Sequence, residues 1–153
     1  MIQRIQSLFL LLSAIMMTSL FVPTLVWIKT KSETFAMGLT KFTPALPLTD
    51  ADNVSLIPLV IFVGLIIILS LITIFMYRNR IMQMRITVVN LILKLGVVGV
   101  AYFYASTTAS LIHGDVKLNY VLVFPVIALI FDYLAIRSIG KDEALVRATD
   151  RIR

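Results

Sequence analysis

Four long apolar runs dominate the chain, separated by short stretches in which charge and turn-forming residues gather. The first is "SLFLLLSAIMMTSLFVPTLVWI", Ser7–Ile28; the second is "VSLIPLVIFVGLIIILSLITIFMY", Val54–Tyr77. The third, "ITVVNLILKLGVVGVAYFYASTTASLI", Ile86–Ile112, turns small and polar toward its end. The fourth, "LNYVLVFPVIALIFDYLAI", begins at Leu118. Each is long enough to cross a hydrocarbon core of roughly 30 Å as a helix. In lipid a backbone must satisfy its own hydrogen bonds, and none of the runs shows the strict alternation of a barrel strand. The pattern predicts an all-α integral membrane protein, a four-transmembrane-helix bundle over residues 1–140 with helices at 7–28, 54–77, 86–112 and 118–139. The first run exceeds the apolar stretch of a signal peptide and lacks a small-x-small cleavage site, so it reads as a retained helix.

The connections differ in kind. The one between helices two and three spans about eight residues and makes a tight antiparallel hairpin. "HGDVK", His113–Lys117, is a short turn. Residues 29–53 form a long loop. Its centre, "TFAMGLTKFTP", suits a small β-hairpin over the bundle end. No catalytic grouping is visible there, so it reads first as a lid over helix ends. Pro125 is expected to bend helix four. Gly96 and Gly99 suit close helix packing.

The last stretch, "IRSIGKDEALVRATDRIR", is of another character. Its 18 residues hold five of the fourteen cations of the chain and three of its eight acids. After Gly140, the residues Ala144, Leu145, Ala148 and Ile152 recur at helical spacing opposite Arg147 and Arg151. The spacing predicts a short amphipathic helix over 141–153, set off by Gly140 as a hinge or bend. It would lie in the headgroup plane or dock a partner, with Lys141, Leu145, Arg147, Arg151, Ile152 and Arg153 as the contact residues.

Composition agrees with the pattern. The chain has 153 residues, 59% hydrophobic and 14% charged, with mean hydropathy +0.98. That is too little polar surface to cover a soluble globule. There is no cysteine and one histidine, His113, which excludes thiol chemistry and leaves no set of histidine metal ligands. No nucleophile–base pair, paired carboxylates or phosphate loop appears, so no enzyme and no cofactor is expected.

Charge sets the orientation. Arg4, Arg78, Arg80, Arg85, Arg137, Lys141, Arg147, Arg151 and Arg153 fall on one side, and Lys29, Lys31, Lys41 and Lys117 on the other. The positive-inside rule makes the richer side cytoplasmic, with both termini inside. The net +6 of the chain falls on that face, which attracts anionic headgroups. The expected partners are the lipid bilayer and a membrane-protein partner, not nucleic acid. Trp27 and Tyr120 are expected at outer helix ends, and Tyr77 and Tyr133 near inner ones.

Inside the apolar runs stand Asn90, Lys94 and Asp132. Asn90 and Lys94 are four apart and share a helix face. Lys94 lies roughly 13 Å along its helix from Arg85, and Asp132 roughly 8 Å from Arg137. Snorkelling of the lysine toward the interface would bring its ammonium to the depth of Asp132 and Asn90. An ionisable group in a bilayer is a functional candidate. One reading is a proton or ion relay in a small transporter or channel. The other is a structural ion pair locking helices three and four. The second is favoured, because transport pathways usually carry more than one acid and one cation.

The opening "MIQRIQ", Met1–Gln6, and the close "KDEALVR" with "DRIR", Lys141–Arg153, resemble an uncharacterised family of small four-helix inner-membrane proteins of Bacteroidota. The resemblance implies an α-helical protein of this size in a bacterial inner membrane, and no known activity. The reading that follows is a non-enzymatic accessory or scaffold subunit presenting its termini at the cytoplasmic surface.

Overall fold

The computed structural model describes residues 2–31, 33–43, 54–77 and 79–150. Four helices run up and down: α1 (Ile2–Thr18), α2 (Ile57–Phe75), α3 (Arg80–Leu111) and α4 (Val123–Asp150). Each packs against its neighbours in sequence, and α1 closes the ring by its extensive contact with α4. A four-stranded antiparallel sheet covers one end. Its strands are β1 (Val26–Lys29), β2 (Thr34–Met37), β3 (Phe42–Thr43) and β4 (Asp115–Leu118), in the order β3-β2-β1-β4. The start of α1, the end of α4 and the α2–α3 turn lie at the other end.

The buried positions explain the packing. On α3 they are Gln83, Thr87, Asn90, Lys94, Val97, Ala101, Ala105 and Thr108. On α2 they are Leu59, Val63, Ile66, Ser70 and Thr73. On α4 the series is Pro125, Ala128, Asp132, Ala135, Ile139 and Asp142. Steps of three and four alternate almost throughout, an average near 3.5, which is the seam of a left-handed bundle. Small residues on the α1–α4 seam, Ala14, Ala128 and Ala135, let those backbones approach. Phe9 and Phe131 stack across the same pair at 6.4 Å between centroids.

The outward faces carry the opposite chemistry. Ile61 and Ile68 on α2, Ile92 and Leu95 on α3, and Ile130 on α4 are all exposed, while many inward positions are polar. A water-facing bundle has the reverse arrangement. α2, α3 and a span from Tyr120 to Val146 are long and apolar enough to cross a membrane; α1, with the 3-10 turn after it, is a shorter apolar helix.

Several sequence-based boundaries move. The first helix starts at Ile2 and ends, after a 3-10 turn at Ser19–Phe21, well before Ile28. Pro23 has no N–H to continue the helical ladder, and "VWIK" then alternates buried and exposed as β1. Trp27 therefore sits on a strand, not on a helix end. The expected β-hairpin is present as β2–β3, closed by the Gly38 N–H on the Lys41 carbonyl at 2.9 Å. It belongs to a larger sheet, because β1 pairs on its other edge with β4. "HGDVK" thus supplies most of a strand as well as a turn. The Thr43–Asn53 part of the long loop lies, apart from Thr43, outside the described residues.

The α2–α3 connection is four residues, 76–79, not eight, because Arg80–Arg85 is already helical. Arginine, glutamine and methionine are good helix formers, and hydropathy alone does not register them. Pro125 falls in the first turn of α4, where an N–H has no partner in the helical ladder. It needs no bend there. Gly96 receives the Phe62 ring of α2, while Gly99 faces open space. Most consequentially, α4 runs through Gly140 without a break to Asp150. The tail is a continuation of helix four, not a separate amphipathic helix behind a hinge.

The turn after α3 is a Schellman cap. His113 takes the left-handed conformation (φ 50), and the Gly114 N–H bonds the Ala109 carbonyl at 2.9 Å. Gly114 is needed for space. A Cβ there would stand 2.9 Å from Ile28 Cγ2 and 3.1 Å from the Lys29 carbonyl oxygen. Two glycine substitutions should therefore move in opposite directions in a denaturant melt of the purified protein. Gly140→Ala should stabilise by up to ~1 kcal/mol, because the site is helix interior. Gly114→Ala should destabilise. A loss of stability in Gly140→Ala would restore the hinge.

Candidate functional site

The half of the bundle nearer the termini is held by side-chain hydrogen bonds between helices. At its centre is Lys94. The Nζ donates to Asp132 Oδ2 of α4 and to Ser13 Oγ of α1, both at 2.6 Å. Ser13 Oγ donates in turn to the Ala128 carbonyl, one turn from Asp132, at 3.1 Å. Lys94, Asp132 and Ser13 are each fully buried. One ammonium thus ties α3 to both α1 and α4. The ammonium reaches Asp132, the partner that the sequence suggested, inside the bundle, and both side chains are fully buried.

Asn90 is not part of this pair. Its Nδ2 donates to Ser70 Oγ of α2 at 2.6 Å, so the face shared with Lys94 serves a different neighbour. Further toward the termini, Gln83 Nε2 bonds the Thr73 carbonyl at 3.1 Å. The Thr73 and Thr87 hydroxyls donate to carbonyls one turn back on their own helices, at 2.6 and 2.8 Å. Polar side chains thus occupy four successive buried levels of α3, Gln83 to Lys94. Beyond them the same seam becomes Val97, Ala101 and Ala105.

A second polar contact closes the end of the bundle. Gln6 Nε2 of α1 donates to Asp142 Oδ2 of α4, and both residues are buried. Arg80, at the start of α3, reaches the Asp142 backbone carbonyl at 3.4 Å. The two ends of the chain singled out in the sequence are therefore joined to each other. Three helices meet at Asp142. Sequence reasoning missed Gln6, Ser13 and Asp142. The available signal was spacing: Gln6 and Ser13 are seven apart on α1, in register with the buried Leu10 and Met17.

The predicted tail contacts divide. Lys141 and Leu145 are exposed. Arg147 falls on α4, with its side chain outside the description; Arg151, Ile152 and Arg153 lie outside the described residues. Val146, also exposed, joins Arg80 and Glu143 around a shallow groove beside the α2–α3 turn.

These features define a four-helix bundle with an apolar exterior, a buried Lys–Asp pair and a sheet-capped end. A family model described as a domain of unknown function (DUF4293) matches residues 2–152, and the chain belongs to that family. No curated protein matches it.

The pair should reveal itself through stability. Asp132→Asn leaves the ammonium buried without its counter-charge and should cost ~3–5 kcal/mol in the unfolding free energy. Lys94→Met combined with Asp132→Leu should recover much of that loss. Ser13→Ala should cost less, near the ~0.6 kcal/mol average of hydrogen bonds between membrane helices. An Asp132→Asn protein as stable as the wild type would rule out the ion pair as the lock.

Proposed function

We propose that the protein is a non-enzymatic, multi-pass accessory or scaffold subunit of a bacterial inner membrane, with both termini in the cytoplasm. The end of the bundle that carries the termini is its docking platform for a membrane-protein partner. The observation that carries this reading is the junction at Asp142. Gln6 and Arg80 hold the α4 extension against the starts of α1 and α3. The extension therefore projects from the bundle as a fixed helix. It presents Lys141, Ala144 and Val146 at positions set by the fold. A mere topology signal needs only charge, whereas this arrangement fixes shape as well.

The membrane assignment rests on the apolar exterior and on helix length. At ~1.5 Å per residue α2 is about 28 Å long, close to the hydrocarbon thickness. The orientation rests on charge: by sequence, nine cations belong to the ends and the connection on one side of the apolar runs, against four on the other. Anionic headgroups would meet Arg85, Arg137 and Lys141 there. Lys94 and Asp132 act in this reading as the lock that keeps the platform in shape.

A second reading, a small transporter or channel with a Lys94/Asp132 relay, draws on one observation. Asp132 Oδ1 and Asn90 Oδ1 are buried and accept no hydrogen bond from the described residues, and polar levels lead from them toward the termini. Proton flux in proteoliposomes separates the two. The scaffold reading expects no flux above empty vesicles, and flux abolished by Asp132→Asn would establish the relay.

Cysteines placed at Thr40 and Ala148 should label differently with an impermeant maleimide on intact spheroplasts, Thr40 alone reacting; equal labelling defeats the topology. For docking, Ala144→Ser with Val146→Ser keeps every charge. It should release whatever co-purifies with the native protein in mild detergent while leaving insertion intact. Retention of the same companions would leave the platform as an electrostatic feature only.

A further inference from the structure

The opposite end of the bundle carries a feature that the platform reading does not use. Register places four residues in one row across the sheet: Thr43, Ala36, Trp27 and Lys117, on β3, β2, β1 and β4. In a sheet, directly opposite residues share a face. β1 buries Val26 and Ile28 toward the helix ends, so this row is on the other face. Trp27, the one tryptophan of the chain, is 39% exposed in the middle of it. Its neighbour Ala36 is too small to cover the indole.

Two shallow grooves flank the ring. The first, about 380 Å³, lies between Trp27, Ala36 and the β2–β3 turn with Lys41. The second, about 450 Å³, has Lys29 and Lys117 on its wall. Among the described residues no carboxylate lines either. Lys29 stands opposite Asp115 in the β1–β4 register, with an opposite charge as its cross-strand neighbour. Lys41 and Lys117 then stand as the cations on the two sides of the indole.

The first groove also opens onto Phe21 and Val22. Val22 is 90% exposed and continues the outward stripe of Leu8, Leu11 and Ile15 on α1. That stripe has the 3–4 spacing of one helix face. An apolar track thus rises along α1 and ends between an indole and a lysine. A free anion would use only the lysines, and a sugar only the indole. An anionic phospholipid uses the indole, the lysine and the apolar track together: its chains follow the α1 stripe, its glycerol region packs on Trp27, and its phosphate meets Lys41 with Thr40 of the turn.

We infer that the Trp27 grooves form a binding site for an anionic phospholipid at the sheet-capped end of the bundle. The inference rests on the reading of the helices as membrane-spanning. Trp27 gives the site its own reporter, since all tryptophan emission comes from it.

The test is a fluorescence titration of the full-length protein in an uncharged detergent. The probes are dihexanoyl phosphatidylglycerol, dihexanoyl phosphatidylcholine and inorganic phosphate. Phosphatidylglycerol should give a saturable change in Trp27 emission. Each exposed lysine near a lipid phosphate contributes ~1 kcal/mol, about fivefold in affinity. Lys41→Gln with Lys117→Gln should then weaken the titration about 25-fold, again at ~1 kcal/mol per charge, and Lys41→Arg with Lys117→Arg should keep it. Equal responses to the two lipids would overturn the proposal, as would a double Gln variant that titrates like the wild type. Phosphate saturating the signal at the same concentration as phosphatidylglycerol would reassign the site to a free anion and defeat the lipid. Retention in carbonate-washed membranes checks the spanning reading separately. A protein that stays in that pellet but ignores phosphatidylglycerol loses this site alone.

Discussion

An ammonium with no counter-ion in an apolar bundle is among the costliest groups a fold can bury. Lys94 makes that constraint real, and the rest of the arrangement answers it. Asp132 has to lie level with the ammonium, which sets the register of α3 against α4. Ser13 accepts a second N–H of the ammonium and donates its own O–H to the Ala128 carbonyl, which sets α1 against both. Once those three helices are fixed, Asn90 and Gln83 meet Ser70 and the Thr73 carbonyl of α2. Apolar side chains could fill the same seam, but they tolerate sliding by a turn; a charge pair does not.

The two halves of the bundle are consequently built on different principles. Toward the termini, directional bonds between helices specify the packing. Toward the sheet, the seam turns to valine and alanine, and specificity passes to the backbone ladder of β1 with β2 and β4. Asn119 reinforces that end: its N–H bonds the Leu25 carbonyl and its Nδ2 the Thr24 carbonyl, at 3.1 and 2.7 Å. Each half is pinned by polar geometry, and the apolar middle, including Leu59, Val63, Val97 and Ala101, fills the space between.

How much of this was legible follows from the type of signal. Lys94 and Asp132 stand out because charge is rare inside apolar runs, and the pairing of α3 with α4 could be read from them. Ser13 could not, since a serine in an apolar helix is unremarkable until its neighbour is known. Gln6 and Asp142 meet across nearly the whole chain and sit among other polar residues, so no local pattern marks them. Strand β1 was hidden for the opposite reason. "VWIK" looks like the end of an apolar helix to a hydropathy count, and only its alternation and the proline before it point to β structure. Gly140 misled because its helix cost is small against the good helix formers around it and the anchored Asp142.

The sheet has an assembly order written into it. β2 and β3 follow β1 directly and can fold on it at once, but β4 comes only after α2 and α3 have been made. Until then the outer edge of β1 stays open. It closes only if the α2–α3 hairpin has gone out and come back to the side from which it left. A hairpin that stalled, or lodged with its return leg missing, would leave β4 stranded and the edge exposed. The fourth strand therefore ties the two ends of the α2–α3 excursion together: its ladder with β1 requires both intervening helices to have brought the chain back to the sheet.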